Sequence, residues 1–250
     1  MLIDQISRHV YMASGMGNNV NSGFVCTGSG VVVFDTGSSV LDGQKLKASI
    51  TKITDEPIIY VINSLGHINH CGGNSVFDKS TFLVHGESKN FTRSSTVTRP
   101  NSSVVTFNKD CCLCIGGLMI ELRFFRGHAC GSLVMVIPED NVVLTGNMLM
   151  TDGLPSVNHS SLCCWVGELE FLEIFNDAIF IPGHGPVADA VAVRQHREYL
   201  ENLIAVTSVM KRDGLGIDDL DNQSLLELPY AKKYINKHKE NLRTAFLQVA

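Results

Sequence analysis

The sequence predicts an α/β fold in which sheets are covered by helices. Three observations predict it. Short apolar runs with strand character, separated by turns rich in Gly and Asn, fill the first half. From about residue 160 the apolar spacing changes to three and four, the period of a helix. No Pro/Ser-rich linker, repeat or low-complexity tract interrupts the 250 residues. The expectation is one domain over 1–250, with C-terminal helices from about 187 packed on it.

The elements follow in order. Val20 to Cys26 and Gly30 to Phe34 read as paired strands with TGSG between them. Ser38 to Ile53 reads as a helix with Leu41, Leu46, Ile50 and Ile53 on one face. Pro57 to Asn63 is a nearly unbroken apolar run and is predicted as a buried strand. Thr81 to His85 and Ser103 to Phe107 are further strands. Cys111 to Phe125 reads as a hairpin turning at Gly116-Gly117, and Ser132 to Thr145 as one turning at Pro138 to Asn141. Ser160 or Ser161 caps a helix carrying Leu162, Trp165, Val166, Leu169, Leu172 and Phe175. Ala178 to Ile181 is a short strand ending in PGHG. One helix face then holds Val193, Leu200, Leu203, Ile204 and Met210, and Ala231 to Val249 is a last helix.

Composition excludes several classes. With 18% charged and 44% hydrophobic residues the chain is too apolar to be disordered. A net charge of -5 without a Lys/Arg block argues against nucleic-acid binding. The longest apolar runs, such as Leu113 to Ile120, are too short for a membrane helix. The start, MLIDQISRHVYMASG, has no signal-peptide pattern, so a cytoplasmic protein is expected. There the eight cysteines are thiols by default.

Four of the nine histidines lie just after predicted strands, in loops rich in Gly or Asn. They are His67 and His70 in NSLGHINHCGGN, His128 in FRGHACGS and His184 in IPGHGP. Loops at strand ends are where catalytic and metal-binding groups collect, so four together point to a shared site. These motifs, with FDTG (Phe34 to Gly37), LTGN (Leu144 to Asn147) and the Trp165 helix leading into PGHGP, resemble the metallo-beta-lactamase superfamily of metal-dependent hydrolases. The resemblance covers nearly the whole chain. The C-terminal YLENL and NLRTAFLQVA look most like its quinoprotein-relay-type subgroup. It implies a four-layer αββα sandwich with the site at one sheet edge.

The family motif His-x-His-x-Asp-His is altered here. His67 and His70 match its second and last His, Leu65 stands at the first His, and Asn69 at the Asp that orients the water. His128 and His184 match later ligands, and Asn147 replaces the bridging Asp. As the resemblance implies, Leu65, His67 and His128 fall at one metal, and Asn69, His70 and His184 at the other, with Asn147 between. Leu cannot ligate, and an amide oxygen replaces a carboxylate poorly. Both carboxylates that offset four positive charges are gone. A two-metal centre is therefore not expected, and Asn69 cannot take a proton from water. Four imidazoles still suit one zinc or another divalent transition metal. Asn69 and Asn147 are weak candidates beside them.

Other residues carry less. Cys71 and Cys130 flank two of the histidines and are read as small packed residues, with a thiolate ligand as the alternative. CCLC at Cys111 to Cys114 and Cys163-Cys164 lack metal-knuckle spacing and are read as packed cysteines. Asp35 is read as holding backbone amides of its own turn. Asn158 and His159 fall where the resembled family carries a flap near the pocket mouth and are read as surface loop, with His159 as a stray ligand or substrate contact the alternative. His9, His85, His196 and His238 receive no role.

Three expectations of function result. One is a non-catalytic member of the fold, a pseudo-hydrolase with a degenerate metal site that binds a small molecule in the sheet-edge pocket. Another is a divergent hydrolase of a small ester, thioester or lactam, using one metal on His67, His70, His128 and His184. A true dinuclear hydrolase with an unusual site is the third.

Overall fold

The computed structural model describes residues 1–88, 103–221 and 233–249. Seven strands form one sheet in sequential order: β1 (Leu2–Gln5), β2 (Val10–Ser14), β3 (Ser22–Cys26), β4 (Val31–Phe34), β5 (Ile58–Ile62), β6 (Thr81–His85) and β7 (Val104–Phe107). The first four pair antiparallel and the rest parallel. Helix α1 (Val40–Ile53) makes the crossover from β4 to β5. A second sheet runs β12-β11-β10-β9-β8, built from β8 (Cys111–Ile115), β9 (Leu118–Phe125), β10 (Ser132–Ile137), β11 (Val142–Met150) and β12 (Ile179–His184). Helix α3 (Leu162–Leu172) joins its one parallel pair, β11 and β12, and the short α2 (Ile68–Cys71) follows β5. Helices α4 (Ala190–Arg212) and α5 (Ile235–Gln248) complete the described chain.

Side-chain alternation explains the layers. In β4, Val32 and Phe34 face the second sheet, while Val31 and Val33 face α1 with Leu46 and Ile50. In β10, Leu133, Met135 and Ile137 face the first sheet, while Val134 and Val136 face Trp165, Leu169 and the helices. Strands buried on both faces read as unbroken apolar runs because neither face meets water. The order helix, sheet, sheet, helix is the αββα sandwich. Leu200 and Leu203 of α4 and Leu242 and Ala245 of α5 share one core with Phe180 of β12.

Several expectations need correction. Strands β1 and β2 were not expected. The helix of the first half begins at Val40, capped by Ser39, whose side chain accepts from the Asp42 amide. Leu46 and Ile50 are buried as expected, but Leu41 and Ile53 are 56% and 39% exposed. The face toward the sheet is narrower than the apolar periodicity suggested. Strand β5 is fully buried only at Val61 and Ile62. Ser161 stands at the N-cap of α3 but makes no side-chain cap bond, and the Ser160 hydroxyl turns to the Val157 carbonyl instead. Residues 231 and 232 of the last expected helix lie outside the described residues.

The β8–β9 hairpin turns where expected, with φ of 60° at Gly116 and 84° at Gly117. Two successive positive φ values are the reason glycine stands at both. Beside the site, Gly73 packs on Gly43 of α1 so closely that a side chain at Gly73 would strike the Thr36 carbonyl and the Gly43 backbone. This contact sets how the segment after α2 sits on α1. No helix among the described residues is long and apolar enough to cross a membrane.

Candidate functional site

The strand-end histidines His67, His128 and His184 each lie within electrostatic reach of His70. Asp35 directly follows β4, is buried and holds a φ of 65°. Its carboxylate accepts from the Ser64 amide, the Ser64 hydroxyl and His70 Nδ1, each at 2.7 Å. His70 is fully buried in α2, and its carbonyl accepts from the Thr36 amide and the Asn63 side chain at 2.9 Å each. Ring and backbone are thus both fixed. The carboxylate sets the ring tautomer and leaves Nε2, buried and without a partner, as the free nitrogen. Sequence reading missed this role of Asp35, which reaches across to β5 and α2 rather than capping its own turn. The available signal was an acidic residue at a strand end beside the histidine loop.

The other three differ in burial and in their contacts. The His184 ring, at the end of β12, lies edge-on to His70 with centroids 6.3 Å apart. Burial first, then His70, lowers its pKa. His128, in the bend after β9, stands edge-on to Trp165 at 4.9 Å. Burial, then His70 and the other histidines, pushes its pKa to about 3, and its buried Nδ1 has no partner. His67 is the N-cap of α2 and is exposed, and its Nδ1 accepts from the Asn69 amide at 3.4 Å. Its pKa is lowered by partial burial, then by His70 and His159. His67, His128 and His184 are therefore neutral at pH 7, with lone pairs to offer.

The altered positions lie among them. Leu65 is buried with 9% exposure. Asn69 Oδ1 accepts from Asn18 Nδ2 at 2.8 Å, which turns its oxygen to the loop before β3. Asn147 Oδ1 is buried without a partner. Among the described residues, no group of three or more His, Cys, Asp or Glu side chains is placed to hold a metal ion. The cysteines beside the histidines offer no thiolate. Cys71 is buried, donates to the His67 carbonyl at 2.9 Å, and is pushed up to about 12 by burial and then Asp35. Cys130 is exposed, contrary to its reading as a packed residue, and donates to Glu87 at 3.3 Å. Partial burial, then Glu87, raises its pKa. Cys112, Cys114, Cys163 and Cys164 are exposed as well, because the faces that carry them point away from the core.

The histidines given no role have structural partners. His9 meets the Asp140 carboxylate at 2.7 Å, and His85 stacks on Phe124 at 3.7 Å. His238 Nδ1 is 3.0 Å from the Tyr199 hydroxyl. His159 is exposed, on the loop that brings it within electrostatic reach of His67. His196 packs against Trp165 with ring centroids 5.1 Å apart, and burial pushes its pKa to about 4.

The His196 shift has a consequence for stability. An unfolded His titrates near ~6.5, so above that pH both states are neutral and the stability is complete. As pH falls below it, only the unfolded chain takes the proton, and the loss continues until about pH 4. The expected loss from this one group is about 3 kcal/mol. Urea denaturation between pH 7 and 4 checks it: His196→Leu should flatten the fall, and an unchanged slope contradicts it.

Facing sheets between helix layers, with histidine loops gathered at one edge, define the class of the metallo-hydrolase αββα sandwiches. The family model described as the metallo-beta-lactamase superfamily matches residues 15–184, and the chain belongs to that superfamily. A linear primary-alkylsulfatase from Pseudomonas sp. is 20% identical over 87% of this chain and 53% of its own. A metallo-beta-lactamase from Pontibacter korlensis superposes with a TM-score of 0.70 at 19% identity, over 80% of this chain and 99% of its own. The stereoselective inverting sec-alkylsulfatase Pisa1 from Pseudomonas sp. superposes with a TM-score of 0.79 at 15% identity, over 98% of this chain and 50% of its own. The chain thus spans about half the length of the two sulfatases it matches. Members of this superfamily typically bind zinc or other divalent metals.

Proposed function

We propose that this chain is a metallo-beta-lactamase-fold protein with a degenerate active site, which binds a small molecule at the sheet edge and is not a dinuclear zinc hydrolase. The state of the three altered positions carries the reading. Leu65 brings no donor, Asn69 points its oxygen at Asn18, and Asn147 brings a neutral amide. This donor set does not fit a pair of metal ions, whose charge would have Asp35 as its nearest buried counterweight, acting through His70. What the edge offers a ligand is the neutral imidazoles of the exposed His67 and the half-buried His184, which suit a molecule with hydroxyl or N–H donors. Thiol-bearing cysteines fit a reducing, cytoplasmic setting.

One observation favours a second reading. A histidine with one nitrogen on a carboxylate and the other free is the usual disposition of a metal ligand, and His70 has it. In that reading one divalent metal sits on His67, His70, His128 and His184, and the substrate is a small ester, thioester or lactam.

Turnover decides between them. Chromogenic ester, thioester and lactam substrates are offered with added zinc. The wild-type chain is expected to give none above background. Leu65→His/Asn69→Asp/Asn147→Asp, which returns the missing donors, should gain zinc-dependent turnover. Wild-type turnover that needs metal and disappears in His70→Ala would establish the second reading instead.

A further inference from the structure

Strand β8 is an edge strand of the second sheet, and its side chains alternate between two faces. Cys111, Leu113 and Ile115 turn inward onto the core between the sheets. Cys112 and Cys114 turn outward and are exposed. The register places Met119 of β9 opposite Cys114 and Glu121 opposite Cys112, so all four share the outer face. Met119 is 43% exposed. Solvated strand faces ordinarily carry polar residues, and cysteine is among the residues most often buried. Packing therefore gives no reason for two thiols and a thioether on one exposed patch. Glu121 is taken by Arg123 at 2.6 Å, which leaves the sulfurs as the ligands on offer.

We propose that Cys112, Cys114 and Met119 form a binding site for one Cu(I) ion. Thiolate and thioether sulfur are soft ligands of the kind that select this ion. Residues i and i+2 of a strand stand about 6–7 Å apart, and directly opposite residues have Cβ atoms about 5 Å apart. Side chains that lean toward one point bring the three sulfurs around a single ion. The strand spacing lies at the top of the range a disulfide spans, and both cysteines are free thiols. Among the described residues, no His, Asp or Glu completes the thiol pair into a group of three able to hold a metal. That rules against structural zinc, which takes four donors, and leaves an ion content with two or three sulfurs. On binding, each thiol gives its proton to solvent as its sulfur bonds the ion, and the copper stays Cu(I). The site is separate from the histidines. The β8–β9 turn packs at Gly116 against the Thr27 carbonyl, near the start of β4, whereas Asp35 and His70 stand at the other end of that strand.

Cu(I), kept reduced by ascorbate under nitrogen, is titrated into the full chain in competition with the chromogenic chelator bicinchoninate. Cys112→Ser/Cys114→Ser should withhold one equivalent less than the wild type. Met119→Leu should hold that equivalent about tenfold more weakly, the low end of what a lost partner costs a metal site. Cys163→Ser/Cys164→Ser, at the other exposed thiol pair, should keep it. The substituted positions are all exposed, so the variants should keep the wild-type urea midpoint. Equal retention by the wild type and Cys112→Ser/Cys114→Ser would overturn the proposal. So would unchanged affinity in Met119→Leu, or loss of the equivalent in Cys163→Ser/Cys164→Ser. A species of twice the mass that forms on adding copper would place the ion between two chains and overturn a site within one.

Discussion

Replacing Asp35 with alanine is expected to lower stability by about 3–5 kcal/mol and to release the His70 ring. The carboxylate is buried and accepts three hydrogen bonds, two from Ser64 and one from His70. Alanine leaves three buried donors unmet, each worth about 1–3 kcal/mol when orphaned, with partial relaxation bringing the sum down. It also places an ordinary side chain at a φ of 65°, a region that Asp and Asn enter more readily. Asp35→Asn keeps the shape and the backbone preference. Its amide nitrogen meets one of the three donors, so the expected loss is smaller, about 1–3 kcal/mol. Urea unfolding ranks the three proteins. Wild-type stability in Asp35→Ala would remove Asp35 from its place as the support of His70.

The second large effect is expected at Trp165. Its ring is fully buried in the core between the second sheet and the helices, and its indole donates to the Met148 carbonyl at 3.0 Å. Trp165→Ala should lose about 3–5 kcal/mol from the cavity alone, with the Met148 carbonyl unmet in addition. His128 and His196 each lose the ring face they pack on. Trp165→Phe keeps a ring and loses the donor, so it should fall between. Thermal and urea unfolding check the order. Equal stability of Trp165→Phe and Trp165→Ala would mean that the indole hydrogen bond, not the packing, holds this layer.

Much of the fold was legible because its central strands are buried on both faces. VVVF and SLVMVI can be little else, and each precedes or follows a turn with glycine or asparagine at a positive φ. β1 was not legible. LIDQ is an edge strand, largely exposed, whose pairing comes from β2 rather than from its own pattern. The placement of the four histidines at strand ends was legible from their loops. The contact that fixes His70 was not. Asp35 and His70 are 35 residues apart, and they meet only because β4 and β5 run parallel in adjacent positions. For the same reason the Asn18–Asn69 bond could not be read from the chain. Cysteine exposure failed differently. Periodicity says which side chains share a face, and the packing decides which face is inside.

The central claim is that the altered donors at residues 65, 69 and 147 leave no place for the superfamily's pair of metals. Metal content by elemental mass spectrometry tests it most directly, on protein purified without a His tag and then offered zinc. The account predicts fewer than two equivalents on the wild-type chain, and a rise toward two in Leu65→His/Asn69→Asp/Asn147→Asp. Two equivalents held by the wild type would contradict it.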